Sequence, residues 1–402
     1  MDEIVRNFST DPIILEDVLI KDLKIESTPS IKYLNSGNGD WETDRHNVDF
    51  NKLTLENDIV IFDISGEAHT YELPSYEHQY WAHKYSWDRN YVKDVKLAKK
   101  VRWFTSDLYE REYRVKTHQY CWFEHAVKTS FRPEQIDFYN SKEFDNIDKY
   151  FIFMNNRKSP ARVYLLSLLE KYNLVNKSYI GFDISKKVID NYLEFGMNHP
   201  NSIIGLRYDY DYKIDKLYND YITKVDVANT ISGLLKENNY YLDRSTSKDG
   251  YIEDVDYSGN PWEYNVGITK FFNSSFLYIC SESCISEDKL FLTEKTFKGF
   301  LSMRPMIIIG NPFTLKKLRE MGYKTFDKWI DESYDEIVDV NERISKISEI
   351  LLDLGEKSID ELKDMLNDMR EVLKHNYDNL LKRNSKNVKE NLIKEVREFI
   401  QK

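Results

Sequence analysis

Short runs of β-branched and aromatic residues alternate with amphipathic stretches through most of the chain. The runs at 59–64, 101–105, 150–155, 178–182, 203–206, 276–280 and 306–309 predict strands. Several are continuously apolar, which is the pattern of parallel strands covered on both faces. A helix is predicted from Ser159-Pro160. Serine offers a side-chain acceptor to the free N–H groups of the first turn, and proline's fixed φ suits the first helical position. Leu165, Leu166 and Leu169 then recur as the buried stripe. Strand and helix in alternation predict an α/β protein with largely parallel sheets.

Two such units are expected, at 1–145 and 150–337, joined by the charged stretch SKEFDNIDK at 141–149. From 341 to 402 the pattern changes to polar helices, the first with Ile344, Ile347, Ile350 and Leu351 on one face and others at 358–382 and 388–400. The basic residues of this tail are mixed with Glu and Asp, so it reads as solvated helical faces.

Composition narrows the class. The 402 residues are 41% hydrophobic and 31% charged, with a net charge of −11, so no global basic footprint for nucleic acid exists. Three cysteines exclude a four-cysteine zinc site. No apolar run reaches membrane-spanning length and the first residues lack a secretory pattern, so a cytoplasmic protein with no membrane partner is expected. The 29 Tyr, 21 Phe and 7 Trp offer flat apolar faces with polar edges, suited to sugars and bases, and equally fit an AT-rich coding sequence.

The segment from Ser275 to Pro312 carries the most chemistry. A strand leads through a polar loop to Thr293-Glu294-Lys295, which opens a helix with Phe297, Phe300 and Leu301 on its apolar side. Thr293 is placed to cap that helix, and its first turn projects free N–H groups and positive dipole toward any phosphate. Lys295 adds a full charge there, and the Glu294 carboxylate can accept from the vicinal hydroxyls of a ribose. The segment at 150–169 repeats the construction, with Arg162 in the first turn, where a guanidinium can clamp a diphosphate. For each of these residues a purely structural role is the competing reading.

Together the two segments resemble the nucleotide-binding half of the alpha-1,3-fucosyltransferase family. Cys280-Ser281-Glu282-Ser283 and Phe291-Leu292-Thr293-Glu294-Lys295 match its C-x-E-N-like and Y-x-T-E-K stretches, and Asn155-Asn156…Pro160-Ala161-Arg162 matches its S-N…P-x-R loop. The stretch from Gly310 to Ile337 also looks like glycosyltransferase-like proteins of large bacteriophages and viruses, which would place the protein in a host cytoplasm. The resemblance implies a GT-B-like fold, two Rossmann-like domains with a C-terminal helical extension. It also implies inverting transfer from a nucleotide-sugar, GDP-fucose by precedent, with no metal and no other cofactor required. The donor would be bound by Arg162, Glu294, Lys295, Asn156, Glu282 and Thr293. Ser283 and Phe291 depart from the family's Asn and Tyr, which bears on the identity of base and sugar.

Inverting transfer needs a carboxylate to take the acceptor's proton. The family's base lies in a T-G-E stretch similar to Ser65-Gly66-Glu67, so the resemblance gives that role to Glu67, with Asp63 as the competitor on the preceding strand. His69, His78 and His83 stand near Trp81 and several tyrosines, at spacings that match no helical metal pair, so acceptor contact and ordinary packing are the open alternatives. Asp209-Tyr210-Asp211 is superfluous as a metal site if no metal is needed, and Cys280 and Cys284 read as structural. The hydroxyl acceptor is expected to be a glycan, a lipid-linked sugar or a hydroxylated base of phage DNA. A DNA acceptor calls for a basic groove, but Lys93, Lys96 and Lys100 recur at helical spacing beside Lys99 and Arg102, which reads as a solvated helix face. The alternative is a non-catalytic sugar- or nucleotide-binding module on the same fold. The absence of G-x-x-x-x-G-K-[ST] and G-x-G-x-x-G argues against other α/β nucleotide enzymes.

Overall fold

The structure, a computed structural model, describes residues 18–25, 30–35, 58–64, 99–106, 108, 116–121, 123–124, 146–155, 160–182, 269–282, 285, 290–382 and 388–401. The chain divides into two compact units. One comprises Met1–Pro133, Asp288–Glu294 and Leu380–Lys402, and the other Glu134–Glu287 and Lys295–Asn379. Each contains a four-stranded sheet in which every pairing is parallel.

In the first unit the strands are β1 (Ile31–Asn35), β2 (Ile59–Ile64), β3 (Val101–Thr105) and β4 (Lys116–Gln119), in that spatial order. The predicted strands at 59–64 and 101–105 are the two inner ones. Val60, Ile61, Val101 and Phe104 are fully buried, as inner parallel strands require. Arg102 lies in β3 and not on a solvated helix. It is buried and donates from Nε to the Phe399 carbonyl at 3.1 Å and from one terminal nitrogen to the Lys99 carbonyl at 2.7 Å. Lys93 and Lys96 lie outside the described residues.

The second unit has β5 (Lys149–Asn155), β6 (Ser178–Phe182), β7 (Ser275–Ser281) and β8 (Met306–Ile309), in the order β6-β5-β7-β8. The helices, in chain order, are α1 (Pro160–Lys171), α2 (Thr269–Asn273), α3 (Glu294–Leu301), α4 (Thr314–Glu320), α5 (Val340–Glu356), α6 (Ile359–Asp368), α7 (Arg370–Lys382) and α8 (Val388–Gln401). Helix α1 starts at Pro160 as predicted and buries Leu165, Leu166 and Leu169. The run expected at 203–206 lies outside the described residues.

The order of this sheet matters for function. The chain leaves β5, passes through α1 and pairs β6 on one side, then returns much later to pair β7 on the other side. Direction therefore reverses between β5 and β7. In open α/β sheets the crevice outside the carboxyl ends of such a strand pair is where ligands bind. Asn155 ends β5 and Ser281 ends β7.

Two close approaches fix helices on this second unit. A Cβ on Gly299 of α3 would fall 1.8 Å from Met306 Sδ of β8, so only glycine lets the helix lie this near the strand with Met306 in place. A Cβ on Gly355 at the end of α5 would meet Leu174 Cδ2 at 2.4 Å. There Lys177 Nζ donates to the Gly355 carbonyl at 2.7 Å and the Tyr150 hydroxyl donates to the Lys357 carbonyl at 2.6 Å. The predicted stripe Ile344, Ile347, Ile350 and Leu351 of α5 is buried.

The last helix belongs to the first unit. Leu392, Val396 and Ile400 of α8 are buried in one cluster with Val18, Leu19, Ile25, Ile61, Phe104 and Tyr120. His118 Nε2 sits 3.3 Å from a Glu395 carboxylate oxygen, and burial draws the imidazole below its ordinary range against the pull of that carboxylate. No helix among the described residues is long and apolar enough to cross a membrane.

Candidate functional site

The candidate site is built around the carboxyl ends of β5 and β7. Arg162, in the first turn of α1, is only 3% exposed. Its guanidinium donates from Nη2 to the Ser281 carbonyl at 2.9 Å and from Nε to Ser281 Oγ at 3.3 Å. A planar fork with two parallel donors is suited to grip one residue by both backbone and side chain. The start of α1 is thus tied to the end of β7, across 119 residues of sequence.

Glu282 follows at once and is 2% exposed. Its backbone N–H donates to the Ile309 carbonyl at 2.9 Å, continuing the pairing of β7 with β8. Its Oε1 accepts from Thr296 Oγ1 at 2.6 Å, which draws the carboxylate to the first turn of α3. Thr296 Oγ1 also lies 3.7 Å from Cys280 Sγ. Burial pushes the Cys280 thiol well above its usual range and the nearby Glu282 carboxylate pushes it further. A protonated, buried thiol is a packing group, which agrees with the structural role expected for Cys280. Cys284 lies outside the described residues.

Helix α3 begins at Glu294, which leaves Thr293 in the capping position expected of it, buried, with Glu294 and Lys295 half-buried in the first turn. Phe297, Phe300 and Leu301 form its buried side as predicted. The boundary between the two units passes between Glu294 and Lys295. The stretch leading to the helix is held within the first unit. The Leu108 N–H donates to the Leu290 carbonyl at 2.8 Å, and the Phe291 ring meets Phe123 edge to face at 5.6 Å. Phe291 is therefore a packing residue, whose environment is a second aromatic ring.

Arg343 has no counterpart in the sequence reading, where the segment after 341 counts as polar helix. The side chain is buried and donates to the Ile337 carbonyl at 2.6 Å, to the Val338 carbonyl at 3.1 Å and to the Ile285 carbonyl. It pins the connection between β7 and α3 from the side of α5. Nothing local distinguishes it from the solvated arginines of the tail.

Asn155 precedes Asn156, which the resemblance assigns to the donor, and it ends β5. The β5–β7 pairing runs from Lys149↔Ser275 to Ile152↔Tyr278. Carried on, the same register sets Asn155 beside Ser281. Level residues of parallel neighbours project to one face, so the Asn155 side chain shares the face on which Arg162 grips Ser281. Asn155 is 6% exposed, and its amide Nδ2 is buried with no hydrogen-bond partner.

The remaining expected residues are Glu67, His69, His78, Trp81 and Asn156, with His83 and the Asp209-Tyr210-Asp211 stretch. All lie outside the described residues. Asp63 lies in β2, its backbone level with Asn35 of β1 and Phe104 of β3. Among the described residues no three His, Cys, Asp or Glu side chains are grouped so as to hold a metal ion.

No protein-family model and no curated protein matches the chain. Among solved structures, a glycosyltransferase from Rickettsia africae ESF-5 is similar at 13% identity and a TM-score of 0.35, over 94% of this chain and 80% of that one.

Proposed function

We propose that the protein is an inverting, metal-independent glycosyltransferase that moves a sugar from a nucleotide-sugar to a hydroxyl acceptor. One observation supports this above the others. The two segments that resemble the fucosyltransferase donor site, 119 residues apart, meet through the Arg162–Ser281 hydrogen bonds at the strand-order reversal of a parallel sheet. A chance match of two short motifs carries no reason for the two to meet there.

In this reading the nucleotide diphosphate lies over the ends of β5 and β7. Lys295 and the N–H groups at the start of α3 face its charge, and Arg162 both sets the end of β7 and adds positive potential. The acceptor oxygen attacks the anomeric carbon from the face opposite the diphosphate. As the new carbon–oxygen bond forms, the bond to the diphosphate oxygen breaks and its electron pair leaves with the phosphate. The acceptor's proton passes to a carboxylate, Glu67 by resemblance. Glu294 accepts from the ribose hydroxyls. GDP-fucose is the donor that family precedent favours, and a glycan or a hydroxylated DNA base is the acceptor.

The test is thermal stability of the purified chain against nucleoside diphosphates and their sugars, with and without magnesium. A ligand at about 100 times its dissociation constant adds roughly 2.7 kcal/mol, a readable rise in melting temperature. The expected result is a magnesium-independent rise with one nucleotide, lost in Lys295→Ala. In a transfer assay with that donor, Glu67→Gln should cut turnover by about 10²–10⁴. The absence of a rise with every nucleotide of the panel overturns the reading. Binding without any transfer, insensitive to Glu67→Gln, establishes a sugar-binding module instead.

A further inference from the structure

We infer that the Asn155 side-chain amide is a hydrogen-bond donor to the diphosphate of the bound nucleotide, an inference that rests on the reading above. A buried amide donor without a partner is costly, and native proteins seldom carry one without a use for it. At 6% exposed, Asn155 loses the solvation of that N–H and receives nothing in return within the folded chain.

Its position indicates what would repay the cost. Asn155 is the last residue of β5, at the carboxyl end of the strand beside which the sheet order reverses. Continued past its last pair, Ile152↔Tyr278, the β5–β7 register brings it level with Ser281, whose carbonyl and hydroxyl accept from the Arg162 guanidinium in the first turn of α1. An amide N–H, a guanidinium and a helix start gathered at one strand end share a single preference, for a ligand that only accepts hydrogen bonds and carries negative charge. Phosphate oxygens meet both conditions. A ribose hydroxyl or a base edge presents donors as well and gains nothing from the positive surroundings.

Replacing an ordinary buried asparagine lowers stability, because its partners are orphaned. Here Asn155→Leu, similar in size and lacking the donor, should leave the nucleotide-free melting temperature unchanged or raise it. The same substitution should weaken binding of GDP and of inorganic pyrophosphate by about 10-fold or more, the range for a hydrogen bond to a charged group. Asn155→Asp, which replaces the donor by an acceptor, should weaken both further. The full-length chain and the two variants are melted alone and titrated with each probe by calorimetry. Equal weakening for GDP and pyrophosphate supports a diphosphate contact.

Weakening for GDP alone places the amide on the nucleoside and overturns the inference. So does wild-type binding with an unchanged Asn155→Leu. A marked loss of stability or failure to fold in both variants also overturns it, because the amide is then structural. If wild-type protein, folded by its melting curve, binds no nucleoside diphosphate, the functional reading fails and this inference falls with it; if it binds one other than GDP, that nucleotide replaces GDP in the titrations.

Discussion

Two strand-to-helix connections leave neighbouring strands of the second unit's sheet, β7 and β8, and are held in different ways. After β8 the chain turns through Gly310 to Pro312, and Phe313 takes a φ of 65° to enter α4. The start of α4 is then filled by a carboxylate of the protein itself. Asp335 Oδ1 accepts from the Leu315 N–H at 2.8 Å and Oδ2 from the Lys316 N–H at 3.0 Å, while its carbonyl accepts from the Phe313 N–H at 2.7 Å. After β7 the neighbouring carboxylate, Glu282, instead accepts from the Thr296 hydroxyl within α3. The positive end of α4 is thus committed to an internal anion, whereas the first turn of α3 carries Lys295 and the connection before it leaves β7 at the strand-order reversal. A helix start becomes part of the scaffold when the chain brings its own acid to it.

The largest effect is expected at Asp335. Asp335→Ala should lower stability by about 2–3 kcal/mol in urea denaturation, because one buried and one half-buried N–H group lose their acceptor. Asp335→Asn keeps one acceptor oxygen and should lose less. An unchanged midpoint in Asp335→Ala would show that α4 does not depend on this plug.

Thr296→Val should cost about 1–3 kcal/mol, since the buried Glu282 carboxylate then loses a donor and a valine of the same shape supplies none. The connection after β7 should loosen as well, so any nucleotide-dependent rise in melting temperature should shrink together with stability. A Thr296→Ser variant restores the hydroxyl and should recover most of both.

The smallest effect lies in pH dependence, and its sign separates two acids of one turn. Lys346 and the backbone and hydroxyl of Ser333 hold Asp331 down to about 2, from an ordinary 3.8. Its folded state therefore binds protons less readily than the unfolded chain, and its contribution is present above pH 3.8 and lost as pH falls toward 2. Burial raises Asp335, in spite of the two N–H groups it accepts from. Its folded state holds the proton more readily, so stability falls as pH rises from 3.8 toward the raised value. Asp331→Asn should cost under about 1 kcal/mol at neutral pH, because the ion pair with Lys346 is largely in solvent. The cost should vanish by about pH 2, whereas Asp335→Asn should flatten the profile above pH 3.8. Profiles of equal slope for both variants would refute the assignment.

Most inner strands were legible because a strand covered on both faces is built around a continuous apolar run, although β3 breaks its own with the buried Arg102. IVIF in β2, FIF in β5 and FLYIC in β7 are such runs, and MIII in β8 is another, buried at all four positions although β8 stands at the edge of its sheet. The strands IKYLN and KTHQ, β1 and β4, carry no such signal, because they stand at the two edges of their sheet and are free to be polar. The expected helix at 358–382 is two helices, α6 and α7, that meet at Met369. No Gly or Pro marks that break. Met369 is fully buried, Asp368 accepts from the Trp329 indole N–H at 2.5 Å, and Asn376 bonds both ways with the Lys324 backbone. Packing partners bend the chain there.

The site divides along the same line. Helix starts, their first-turn charges and the apolar stripes behind them were readable, since cap, dipole and period are local properties of a few consecutive residues. Thr293, Glu294, Lys295 and Arg162 belong to that class. What Arg162 grips, what Glu282 accepts, which carboxylate closes α4 and why Arg343 is buried depend on residues between 14 and 119 positions away. Such pairings follow from strand order and register, which no local pattern encodes. The unpartnered amide of Asn155 is the extreme case: one more asparagine in the sequence, and an unsatisfied donor only once β5 and β7 lie side by side.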